Sequence, residues 1–167
     1  MNIINYKSFL KIFILFIFFS CSNSDESVAF DEFSSNLSAS NVILRINKTF
    51  FDEINNNRIN NISEGDYIKV NSGKKNGDFI ELSVSYSGGC KLHNFEIIWD
   101  GVVYTNNPCN MNFLLVHNSN NDSCEAYVTE TIIINLKELL GDVTYSSDCS
   151  FNIFDTYNLT NTPTIKI

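Results

Sequence analysis

The feature that most restricts the fold is the run Phe79 to Tyr86. Ile80, Leu82, Val84 and Tyr86 alternate with Glu81, Ser83 and Ser85. A period of two places one set on a buried face and the other in water, which is a β-strand of a two-layer structure. Similar short runs follow at roughly ten-residue intervals, separated by turn chemistry. His93, Phe95, Ile97 and Trp99 share one parity, with Asn94, Glu96 and Ile98 on the other. Met111, Phe113, Leu115 and His117 share a face, as do Ile132, Ile134 and Leu136. Val42–Ile46, Tyr67–Asn71, Ser150–Phe154 and Thr164–Ile167 supply further strands. The segment from Asn71 to Asp78 reads as a turn, and Gly88-Gly89 as a bend or bulge. Lys137–Gly141 reads as one helical turn stopped by glycine. Asn47–Asn61 divides between a helix with Phe50, Phe51, Ile54, Arg58 and Ile59 on one face and a loop or short strand, because Asn55-Asn56-Asn57 weakens a helix. Six to eight strands without a long amphipathic helix predict an all-β fold. An antiparallel β-sandwich fits best, with immunoglobulin-like order as one form of it.

The sequence divides into three parts. Residues 1–20 carry Lys7 and Lys11, then the apolar run Ile12–Phe19 and Ser20. That arrangement predicts a secretory signal, too short to span a bilayer. Residues 21–40, rich in Ser, Asn and acids, predict a tether. Residues 41–167 form the domain. The net charge of −8 argues against a phosphate-binding surface and a basic lipid-docking face, so no nucleic acid is expected as a partner.

Chemistry-bearing residues gather between Gly88 and Glu125, which holds both histidines, three of the five cysteines and the single tryptophan. In an antiparallel pair, a register that sets Trp99 opposite Met111 also sets His93 opposite His117. Cys90 and Cys124 then lie at the same end. If Val102–Tyr104 is instead a strand of its own, that register has no meaning. For the converging residues three readings compete. One is a Cys90–Cys124 disulfide with hydrogen-bonded histidines. A second keeps that disulfide and lets His93 and His117 bind Zn or Cu, with Asp122 or Glu125. The third is a zinc site of two cysteines and two histidines. Four cysteines after Cys21 allow two disulfides in three connectivities. The sequence has no Gly-x-Ser-x-Gly elbow and no phosphate-binding glycine loop, and Asn118–Asp122 lacks the acids and glycine of an EF-hand. Acid pairs such as Asp52-Glu53 read as solvated charge rather than glycosidase carboxylates.

Two resemblances add expectations. Ser20-Cys21 after the apolar run resembles the bacterial lipobox, with Phe18 where Leu is usual. This implies lipidation of Cys21 by diacylglycerol and a membrane partner through that lipid. Asp25-Glu26 within Ser22–Ser27 resembles the surface-export signal of Bacteroidota lipoproteins, which implies a surface-exposed place on the outer membrane. Further on, Gly88-Gly89-Cys90-x-x-His93-x-Phe95, Leu115-Val116-His117-Asn118 and Cys124-Glu125-Ala126 resemble a β-domain of exported bacterial lipoproteins of no assigned activity. That likeness covers roughly residues 78–155. It implies an envelope domain and Cys90 paired with Cys124, leaving Cys109 and Cys149 as the remaining pair. The expected role is non-catalytic binding or structure, with a glycan, a peptide or an envelope protein as partner. The alternative is a metal-binding protein or small metal-dependent hydrolase centred on His93 and His117.

Overall fold

A computed structural model describes residues 41–141, 143, 148–159 and 163–167. The leader, the tether, Cys21 and the acidic patch lie outside the described residues. The described residues form an all-β domain, with two facing sheets and two helices among them. Its strands are β1 (Asn41–Ile46), β2 (Lys69–Asn76), β3 (Phe79–Gly88), β4 (Asn94–Trp99), β5 (Asn110–Asn118), β6 (Ala126–Asn135), β7 (Ser150–Asp155) and β8 (Ile165–Lys166). The helices are α1 (Lys48–Ile59) and α2 (Leu136–Leu140).

One sheet has the order β2-β3-β6 and is antiparallel throughout. The other has the order β1-β4-β5-β7-β8 and is mixed. Its β1–β4 and β5–β7 pairs are parallel, whereas β4–β5 and β7–β8 are antiparallel. The parallel pairs arise because the chain visits the other sheet between the partners: β2 and β3 intervene before β4, and β6 before β7. The alternating residues meet between the sheets. Ile80, Leu82 and Val84 pack with Phe95, Ile97, Trp99, Phe113, Leu115, Ile132 and Ile134, all essentially without solvent exposure.

Asn47–Asn61 resolves as a helix. The Asn47 side chain accepts the Phe50 N–H at 3.0 Å and caps the first turn. Phe51, Ile54 and Arg58 face inward, and burial of that stripe outweighs the weak helix propensity of Asn55–Asn57. The helix covers the outer side of the five-stranded sheet over Ile98 and Leu114. This explains why Ile97-Ile98-Trp99 and Phe113-Leu114-Leu115 are continuous apolar runs: here the sheet is buried on both faces.

Two further readings change in extent. β2 runs on to Asn76, so most of the expected turn after Asn71 is strand, and the hairpin closes at Gly77. β4 and β5 do pair directly, with Trp99 opposite Phe113 and Phe95 opposite His117. The expected register is therefore displaced by two residues. A Tyr104–Asn110 bridge and the Asp100 side chain, which accepts the Val102 N–H at 2.9 Å, order the connection between the two strands. A shift of two preserves parity, so both histidines stay on the core side.

Candidate functional site

The sandwich end formed by the close of β3, the start of β4, the close of β5 and the start of β6 carries the cluster. Gly88 and Gly89, with φ of 153° and 110°, turn the chain out of β3. A Cβ on Gly88 would lie 2.5 Å from His93 Nε2 and 3.0 Å from Asp122 Oδ2, so the side chains seated there need glycine. The turn aims three consecutive backbone N–H groups at one point. Those of Gly89, Cys90 and Lys91 each donate to Asp122 Oδ2 at 2.9 Å. Such a concavity of backbone donors is an anion nest, here filled by the protein's own carboxylate. Asp122 Oδ1 also accepts the Cys124 N–H at 2.9 Å, an Asx turn. The backbone bond from Cys124, joined by those from Lys91 and Cys90 and by His93, holds the Asp122 carboxyl well below its ordinary range, although burial opposes this.

The Cys90–Cys124 disulfide closes the same two loops, with Cα atoms 5.9 Å apart. Lys91 Nζ adds bonds to the carbonyls of Asn120 and Asn121 at 3.0 and 2.8 Å. The segments before β4 and after β5 are therefore joined covalently, through the nest and through a lysine. The second disulfide, Cys109–Cys149, lies at the opposite end of β5, with Cα atoms 4.5 Å apart.

Beneath the nest the histidines are buried, His93 at 2% exposure and His117 at 1%. His93 Nδ1 and His117 Nε2 are 2.8 Å apart. His93 Nε2 lies 3.3 Å from Asp122 Oδ2, and His117 Nδ1 lies 3.0 Å from the Tyr67 carbonyl oxygen. All four ring nitrogens thus have partners. Tyr86 stacks on His93 with centroids 4.3 Å apart, and Phe95 lies nearly parallel to His117 at 5.0 Å. Tyr86 Oη donates to Glu130 Oε1 at 2.6 Å. Burial, then that bond, pushes the phenol well above its ordinary range. Asp66 secures the outer edge by accepting the Ser119 N–H at 2.7 Å; the Ser119 side chain, then that backbone bond, holds its carboxyl below the usual value. Burial, then the neighbouring His93, lowers the pKa of His117.

The sequence expectation that Cys90, His93, His117 and Cys124 share one end agrees with this geometry, through a disulfide and a hydrogen-bonded imidazole pair. The ring nitrogens are at hydrogen-bonding distance. Two imidazoles on one tetrahedral zinc at about 2.0–2.1 Å each would hold their nitrogens roughly 3.3 Å apart. A metal taking both rings would have to break the bond between them. Glu125 is exposed, and the carboxylate that joins the cluster is that of Asp122. Sequence reasoning missed the nest, the Tyr67 carbonyl, Asp66 and Tyr86. The signals present were the Gly88-Gly89 pair and an aspartate two residues before Cys124.

No protein-family model matches the chain, and no curated protein does. Among solved structures, the chain is similar to a NigD-like immunity protein from Bacteroides caccae. The identity is 19% and the TM-score 0.46, over 77% of this chain and 59% of that one. It is also similar to a putative toxin-related protein from Parabacteroides distasonis, at 18% identity and a TM-score of 0.43, over 70% and 55% of the two chains. A protein of unknown function from Bacteroides vulgatus matches at 11% identity and a TM-score of 0.42, over 68% and 49%. The chain thus spans between about half and three fifths of the length of each of these proteins.

Proposed function

We propose that this is a lipid-anchored protein of a bacterial envelope, held on the outer membrane through Cys21 and exposed at the surface, whose β-domain binds or supports a partner and does not catalyse a reaction. The observation that carries the non-catalytic part is the internal consumption of the chemistry-bearing residues. Both histidines are sealed beneath Tyr86 and Phe95 with every ring nitrogen paired, and Cys90 and Cys124 are joined to each other. A general base needs a lone pair within reach of a substrate proton, and these rings offer none at the surface. Two disulfides favour an oxidising compartment, which supports export. The acidic charge favours a glycan, a peptide or an envelope protein as partner over nucleic acid.

The test has two arms. Replacing Cys21 by Ala should move the protein from the membrane to the soluble fraction and abolish acyl labelling, and labelling that persists would overturn the anchor. Untagged protein should contain no stoichiometric zinc or copper. One equivalent of either metal, lost on His93→Gln, would replace the binding-domain reading with the metal-dependent one.

A further inference from the structure

The histidine line has an unusual proton count. Three links run in sequence: Tyr67 carbonyl to His117, His117 to His93, and His93 to Asp122. Both ends of the line only accept. A carbonyl oxygen has no proton, and Asp122 is kept ionised by four backbone N–H groups. His117 Nδ1 must therefore carry a proton for Tyr67. One proton sits between His117 Nε2 and His93 Nδ1. A third is needed on His93 Nε2 to meet the carboxylate. Two neutral imidazoles supply two protons, and the line takes three.

We propose that His93 and His117 together hold one positive charge as the counter-ion of Asp122, making the pair a pH-sensitive latch between the loop at 88–93 and the loop at 118–124. The charge resides mainly on His93, which faces Asp122 and lies against the Tyr86 ring, whose π-face favours a cation. His117 stays neutral, between Phe95 and the Tyr67 carbonyl. The lowered pKa of His117, caused by burial and by the charge of its neighbour, agrees with this division. The other titratable or charged groups around the pair are Tyr86 from β3, bonded to Glu130 of β6, and Asp66 in the loop before β2. Lys91, in the first loop, directs its ammonium at the Asn120 and Asn121 carbonyls.

The sign of the effect follows from proton counts. In the unfolded chain two independent imidazoles titrate near about 6.5, holding nearly two extra protons at pH 5 and almost none at pH 8. The folded pair holds one throughout. Below about pH 6.5 the unfolded chain binds more protons, so stability rises with pH. Above it the folded pair binds more, so stability falls as pH rises further. The contribution is bell-shaped, with its maximum near about pH 6.5. Each limb approaches a tenfold change in the unfolding constant per pH unit.

The chain has two histidines, so long-range ¹H–¹⁵N spectra of the full-length protein contain two ring systems. At pH 6.5 one ring should be protonated on both nitrogens and the other on Nδ1 alone. Urea titrations from pH 5 to 8.5 should give the bell, and the alkaline limb is the more specific because no carboxylate titrates there. Two neutral rings at pH 6.5, or a stability that does not fall between pH 6.5 and 8.5, would overturn the proposal. In Asp122→Asn the doubly protonated ring and the alkaline limb should both disappear, and a charge that persists there would also count against it. If that variant does not fold, the spectra and titrations of the unaltered protein still decide.

Discussion

The two ends of β5 are each closed by a disulfide, but they are built on different chemistry. At the start of the strand, Cys149 is buried and Cys109 packs against the core, so that bridge is part of the apolar interior. At the other end Cys90 is exposed and Cys124 half-buried, and the bridge sits over a polar assembly of nest, carboxylate and imidazoles. The first end is held by close packing, in which a shortened side chain leaves a cavity. The second is held by directional bonds among the nest, Asp122 and the imidazoles, in addition to its bridge. Loop-closure entropy alone does not distinguish the two bridges, because their sequence separations are 34 and 40 residues.

The largest expected effects therefore come from the disulfides. Replacing both Cys90 and Cys124 by Ala should cost about 4 kcal/mol from loop closure. Replacing both Cys109 and Cys149 should cost roughly 1 kcal/mol more, from the added cavity. Urea midpoints of the two double variants measure the difference, and a greater loss at the Cys90–Cys124 end would reverse the comparison. The next contrast lies between two glycines. Gly88→Ala drives a methyl into His93 and Asp122 and should cost about 3 kcal/mol, as an overpacked site does. Gly101, at the other end with φ of 78°, would place its Cβ 3.6 Å from Ile46, so Ala there should cost only the backbone strain of about 1 kcal/mol. Equal losses would mean that the space beside His93 can relax. The smallest effects come from two tyrosine hydroxyls. Tyr86→Phe removes the donor to Glu130, and Tyr104→Phe removes the donor to Asp100 at 2.8 Å. Each should cost about 1–2 kcal/mol. Only Tyr86→Phe should also shift the ring signals of His93, which NMR would show.

The alternating residues of β3 and the core parities of β4, β5 and β6 were legible because burial on one face enforces a period of two. The common face of His93 and His117 was legible for the same reason, and it survived a wrong register because the error was an even number of residues. What periodicity does not encode is partner direction. Nothing in Val42–Ile46 says that it lies parallel to β4, since both directions bury the same residues. The helix α1 was half-legible: its spacing of Phe51, Ile54 and Arg58 favoured it, and Asn55–Asn57 argued against it. The nest was illegible for a physical reason. It is made of backbone N–H groups, which every residue but proline has, and only the glycines that shape it leave a mark in the sequence.

The parallel direction of β1 bears on how the domain carries load. Asn41 N donates to His93 O, so the described chain begins at the latch end, whereas Ile167 pairs with Phe151 at the other. A pull between an anchor upstream of Asn41 and a partner held at the far end would run along β1. It would slide that strand against β4, loading the ladder's bonds together in shear rather than peeling them one by one. With the proposed anchor and partner, the proton-dependent latch would sit where the force enters, and the tension the domain withstands would become a function of the acidity around it.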